Sequence, residues 1–188
     1  MRHEQGLGVR GWGLVGIRGW GLGIRGWGLG IRGSALIAAL AVAGACAPAP
    51  QTSNTPAAGA EMSRAILDPY LKIQAALADD STEGVHANAG MLVTAATALG
   101  SPAMKIDTAA IQLAAASEAE PPDIKDVREK FGTLSEAIDV YMTGLHLKAP
   151  EGVKVAVCPM VNKPWLQEGS ALANPYYGKE MLTCGSFR

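Results

Sequence analysis

Residues 123–147 read DIKDVREKFGTLSEAIDVYMTGLHL, and this stretch decides the fold class. Ile124, Val127, Phe131, Leu134, Ile138, Tyr141 and Leu145 recur in steps of three and four. That spacing places all seven on one stripe of an α-helix. Asp123 follows Pro121-Pro122 and suits an N-cap, because its carboxylate can accept from the free N–H groups of the first turn. Gly132 and Gly144 weaken the helix by about 1 kcal/mol each relative to alanine.

Three weaker segments before it carry the same period. The first holds Ile66, Tyr70, Ile73 and Leu77, with Asp68-Pro69 as its start or as a kink. The second holds Val85, Ala89, Leu92, Ala96 and Leu99, opened by Ser81 or Thr82. The third starts at Ser101-Pro102, a cap followed by proline at the first helical position, and runs through Ile106, Ala110 and Leu113. Many stripe positions are alanine, which lets helices approach closely. The pattern predicts a mainly α protein, an antiparallel, up-down-up-down helical bundle of about four helices. A three-helix bundle with one irregular segment, or helix pairs at steeper angles, are the alternatives.

After Ala149-Pro150 the period changes. Residues 152–159, GVKVAVCP, alternate like a short strand, and 179–187, KEMLTCGSF, offer a partner. NKPW, NPYYG and GS between and beside them are turn chemistry. A small irregular β element closing against the bundle is expected.

The N-terminal third is of another kind. Residues 11–32 repeat GWGLVGIR, GWGLGIR, GWGLGIR. So much glycine costs too much backbone entropy for a stable helix or strand, and a solenoid needs longer units. Residues 1–33 read as sequence upstream of a misplaced start, with a disordered leader or a membrane-active Arg/Trp peptide as the other readings. A signal peptide begins behind it at residues 34–46. Arg25 and Arg32 supply positive charge, and Ser34 to Val42 form an apolar run far short of the roughly 20 residues of a membrane span. Ala43-Gly44-Ala45-Cys46 then resembles a bacterial lipobox in which Cys46 is lipidated, although Ala43 stands where leucine is usual. Ordinary cleavage nearby, giving a soluble periplasmic protein, is the alternative. Residues 47–60, rich in Pro, Ala, Ser and Thr, read as a flexible tether, and residues 61–188 as the folded domain.

Charge narrows the partners. Five of the 16 basic residues and one of the 17 acidic ones precede Cys46, so the chain from there onward carries 11 against 16, a net charge near −5. No basic patch exists to neutralise phosphates, which argues against nucleic acid.

Four sulfur atoms near the C-terminus carry the chemistry. Cys158-Pro159-Met160 is followed by Met181-Leu182-Thr183-Cys184 in mirrored order. One reading is a Cys158–Cys184 disulfide, in keeping with an oxidising compartment and worth about 3.5 kcal/mol in the chain-entropy model. Trp165, Tyr176 and Tyr177 would then fill the stapled loop, and Met160 and Met181 would be gap-filling core. The other reading is a metal site for Cu(I) or Ag(I), since thiolate and thioether suit soft monovalent ions. Cys158 and Met160 share a face along a regular strand, or lie in a turn at Pro159. Met181 and Cys184 are one turn-like step apart. Val161 stands where a Cys-Pro-Met-His metal tag has its histidine, and the spacing is not that of zinc sites.

These residues, with Trp165-Leu166, Asn174-Pro175-Tyr176-Tyr177-Gly178 and the closing Met-Leu-Thr-Cys-Gly at 181–185, resemble a small family of exported domains of unassigned function. That family also occurs fused to the C-terminus of periplasmic adaptor subunits of copper/silver-type efflux systems. The resemblance spans roughly Asp68 to Gly185. It implies metal handling, with an efflux adaptor or a metal chaperone as partner and the membrane reached through the lipid anchor.

Two histidines lie in the exported part. His86 flanks its helical stripe and reads as solvated or hydrogen-bonded. His146 ends the long helix, suits the helix dipole, and is the outside candidate for a metal ligand. Asp79-Asp80 and Glu118/Glu120 read as solvated helix ends. Nucleophile elbow, zinc-protease, phosphate-loop and dinucleotide motifs are missing from the sequence, so no enzyme is expected.

Overall fold

Four helices and a small antiparallel sheet make up the residues described by the computed structural model, 56–188. The readings for residues 1–33, for 34–46 with Cys46, and for 47–55 fall outside the described residues.

The stripe at 123–147 becomes α4, Ile124–Gly144, and Asp123 caps it by accepting from the Lys125 N–H at 2.9 Å. Val127, Phe131, Leu134 and Ile138 are completely buried, with Ile124 and Leu145 packed at the ends. Helix α1, Arg64–Ala78, runs through Pro69 instead of starting there. The proline, sixth in the helix, lacks the N–H that would bond the carbonyl of Ala65, so one bond between the first and second turns is lost. Helix α2, Val85–Leu99, starts later than Ser81 or Thr82. Ser81 Oγ instead accepts from Glu83 N and Thr82 O from Val85 N, so both residues build the turn ahead of the helix. Helix α3, Met104–Ala116, follows a single 3₁₀ turn at Ser101–Ala103. No helix among the described residues is long and apolar enough to cross a membrane.

The sheet corrects two sequence expectations. Strand β1, Val153–Cys158, is central in the order β2-β1-β3. Its main partner is β2, Lys163–Glu168, in antiparallel register from Val153↔Glu168 to Cys158↔Lys163. The Lys-Pro-Trp read as turn chemistry is therefore strand. Pro164 is tolerated because β2 is an edge strand, where a missing N–H need not break a ladder. The expected partner, 179–187, contributes only β3, Ser186–Phe187, opposite Val157 and Ala156. The expected tether boundary also moves. Gly59 N bonds to His146 O, Lys148 N to Ala60 O and Met62 N to Lys148 O, each at 2.9 Å, and Met62 is buried.

Helices and sheet meet over aromatic rings. Tyr70 of α1 stacks on Phe131 of α4 with centroids 5.0 Å apart, Tyr176 lies 6.1 Å beyond, and Trp165 of β2 meets Tyr176 edge-on at 6.0 Å. The Tyr70 hydroxyl lies 2.7 Å from Ser135 Oγ and accepts from the Leu166 N–H at 3.1 Å. Removing it leaves two buried polar groups without that partner, each costing about 1–3 kcal/mol. Tyr70→Phe is expected to lower the unfolding free energy by about 2–4 kcal/mol in urea titration; an unchanged midpoint would show that the hydroxyl is not a structural joint.

Candidate functional site

Cys158 ends β1, and Asn174 ties it to the backbone of Cys184. Ala156 and Cys158 alternate onto the inner face of the strand, and both are fully buried. Residues 159–162 then form the hairpin turn, with Asn162 at φ 51° in the left-handed region that asparagine tolerates. Met160 rides on this turn and is 62% exposed. Of the two geometries open to Cys-Pro-Met, the turn is the one realised, so Cys158 and Met160 do not project together along a strand.

Asn174 organises the other side. Its side chain is completely buried, and its Nδ2 donates to Cys158 Sγ at 3.3 Å and to the Cys184 carbonyl at 2.7 Å. Its Oδ1 accepts from Tyr176 N at 2.8 Å, an Asx turn through Pro175. Its backbone N–H reaches Leu182 O at 2.7 Å, and the Cys184 N–H returns to Met181 O at 3.0 Å. One amide thus brings Cys158 and Cys184 to a common point, with Met181 opening the turn that presents Cys184. Both cysteines are free thiols; Cys158 is buried and Cys184 half-buried.

The histidines stand elsewhere. His146 is exposed at φ 53° just past α4, its carbonyl taken by Gly59. His86 Nδ1 lies 3.0 Å from Ala114 O, the hydrogen-bonded state expected of it. Among the described residues no group of three or more His, Cys, Asp or Glu side chains could hold a metal ion. A soft-ion site here would have to combine the two thiols with thioethers.

Two further polar anchors were not foreseen. Gln167 is buried; its Oε1 accepts from Trp165 Nε1 at 2.9 Å and from Ala173 N at 3.0 Å. Arg128 of α4 donates through Nη2 to Leu77 O at 2.8 Å and to Asp80 Oδ1 at 2.6 Å, and through Nε to Pro175 O at 3.0 Å. Asp79 and Asp80 are therefore not simply solvated: Asp79 pairs with Lys179 at 2.7 Å, and Asp80 with Arg128. The Arg128 hydrogen bond holds the Asp80 carboxyl below its ordinary range. Gly178 lies against this pair at φ +55°, where a Cβ would strike both partners, so the glycine of Asn-Pro-Tyr-Tyr-Gly has steric and conformational reasons. Burial pushes the Tyr70 and Tyr176 phenols well above the tyrosine range, and the Tyr176 hydroxyl donates to Pro164 O. Asparagine in an Asn-Pro step is a legible turn signal; that its amide faces inward toward sulfur is not.

Comparison of the chain with family models, with curated proteins and with solved structures finds no match.

Asn174→Ala strands the Tyr176 N–H and the Cys184 carbonyl. A loss of about 3 kcal/mol is expected by denaturant unfolding. Native-like stability would mean that the C-terminal segment is held without this amide.

Proposed function

We propose that the chain is an exported, lipid-anchored periplasmic domain that binds Cu(I) or Ag(I) through Cys158, Cys184, Met181 and Met160, as an accessory to metal efflux or homeostasis. The observation that carries this reading is the single Asn174 amide touching both cysteine residues, at 3.3 Å to Cys158 Sγ and 2.7 Å to Cys184 O. Thiols are the ligands a soft monovalent ion prefers, two cysteine residues meet at this amide, and Met181 adds a thioether three residues from Cys184. Met160 is exposed on the adjoining hairpin turn, where no packing role accounts for it. The resemblance of the sulfur motif to domains fused to efflux adaptors fits the same reading, with an efflux adaptor or a metal chaperone as partner. The scaffold is read as an antiparallel bundle, supported by the packing of α1 on α2, α2 on α3 and α3 on α4. A disulfide-stapled interaction module is the second reading, favoured by the same adjacency. Oxidation would join the two sulfurs and release two electrons and two protons to an external oxidant.

The readings part at the methionines. A staple needs cysteine only, and Met→Leu conserves volume at under about 1.5 kcal/mol. Competition titration of the reduced protein against a Cu(I) chelator is expected to weaken about tenfold or more for Met181→Leu and for Met160→Leu, with unfolding unchanged. If neither substitution alters Cu(I) affinity, the methionines are not ligands and this form of the site is wrong.

Anchoring is tested separately. The charged, apolar and small-residue order ahead of Cys46 supports lipidation, and two or more acyl chains anchor stably where one does not. Cys46→Ser is expected to move the protein from the membrane to the soluble periplasmic fraction. A wild-type protein already soluble and without lipid by intact mass would overturn the anchor.

A further inference from the structure

We propose that two copies of this chain dock through the outer face of the α2–α3 hairpin. The case starts from charge. Helix α2 contains no Asp, Glu, Lys or Arg, and α3 contains only Lys105 and Asp107. Helix α4, by contrast, carries seven such residues. A surface helix normally turns a charged face to water, and one without it is normally covered.

Large apolar side chains stand exposed on both helices, among uncharged threonines. Met91 is 56% exposed, Met104 61% and Ile111 51%. Thr97 Oγ1 donates to Asp107 Oδ1 at 3.1 Å, and His86 Nδ1 meets Ala114 O at 3.0 Å. These ties fix the two helices side by side and running oppositely, and they set Gly90 and Ile111 at about the same level of the seam. Spacings of three and four from these residues bring Thr94 of α2, and Met104 and Thr108 of α3, onto the same side.

Gly90 is the independent sign. Glycine is among the worst residues for a helix interior. Here it has no left-handed φ, and a Cβ added to it would meet nothing within 4 Å. Among the described residues nothing gives a reason for it. A backbone approaching from outside does, since glycine leaves a notch that a bulky side chain can enter.

A second copy fits this face better than other occupants. Projection and notch, Ile111 and Gly90, sit next to each other, so a two-fold axis brings each projection to the other copy's notch. From Cys46 onward each chain carries a net charge near −5, so like charge opposes the approach of two copies. The charge-poor hairpin is where they can meet without opposing like charges. A membrane is disfavoured, because interfacial faces carry a rim of Lys and Arg and this one has Lys105 alone.

The test is sedimentation velocity of the full-length protein from about 1 to 100 μM, with helical content and melting temperature followed in parallel. The wild type is expected to pass from monomer to dimer over this range. Ile111→Glu should remain monomeric with unchanged helical content. Gly90→Ala should act in opposite directions, raising the melting temperature of the dilute monomer while weakening dimerisation about tenfold or more. A wild type monomeric throughout, an Ile111→Glu protein that associates as well as wild type, or a Gly90→Ala protein with undiminished dimerisation overturns the proposal. So does binding of the monomer to phospholipid vesicles that Ile111→Glu abolishes, which would assign the face to a lipid surface.

Discussion

The Tyr70 hydroxyl is the joint on which the described structure turns. It belongs to α1, pairs with Ser135 of α4, and takes the outward N–H of Leu166 from β2. An edge strand otherwise offers unpaired backbone groups to solvent or to another chain. Here the helices cover that edge, and the phenol supplies the missing acceptor. Burial raises its proton affinity well above the ordinary tyrosine range, so it stays neutral at physiological pH. Its ring stacks on Phe131 and, through Tyr176, reaches Trp165, so the same side chain that satisfies the polar groups also sets the aromatic packing.

The segment after β2 has little regular structure, yet Asn174, Pro175, Tyr176 and Gly178 in it are buried. Backbone groups taken out of water must find partners, and in this segment side chains supply many of them. Gln74 of α1 donates to Ala173 O at 2.7 Å, Gln167 to Ala171 O at 2.6 Å, Asn174 to Cys184 O, and Arg128 to Pro175 O. Three buried or half-buried amides and one guanidinium thus replace a ladder. The Cys158 thiol and the Cys184 backbone lie inside this network. Their relative positions depend on polar groups from α1, α4 and β2, not on the local sequence around either cysteine.

That dependence explains what the sequence disclosed. Helix α4 was legible because seven apolar residues in three–four steps and an N-cap aspartate are local signals. The stripes of α1 to α3 were legible for the same reason, and their starts were blurred by turn residues such as Ser81 and Thr82. Strand β2 was hidden by Lys-Pro-Trp, since proline reads as a turn until the strand is known to lie at an edge. Gly132 read as a weak point of α4. In the fold it faces Lys163 and Tyr176 so closely that a Cβ would collide with the lysine stem. At the sulfur corner, the mirrored cysteines and methionines were visible in the sequence. The amide between them was not, because Asn174 meets Cys158 only after the chain has turned back.

The corner also lies at the least secured strand. Strand β3 pairs with β1 through two residue pairs only. Its other holds include the Arg188 N–H to Val155 O bond at 3.1 Å, the Lys154 ammonium 5.1 Å from the Phe187 ring, the Arg188–Asp139 ion pair and the Asn174 bond to Cys184 O. Exposed ion pairs contribute little, so the two hydrogen bonds, from Arg188 N and from Asn174, carry more of the hold. Cys158 ends β1 and Cys184 stands two residues before β3, so any bond between their sulfurs closes β3 onto β1. A ligand held only by the folded corner would stabilise the fold in proportion to the logarithm of its concentration over its dissociation constant. A disulfide would do so by limiting the unfolded chain. Either way the chemistry of the sulfurs would be coupled to the seating of the C-terminal strand, because the amide that touches Cys158 Sγ and the Cys184 carbonyl is also one of the holds on that strand.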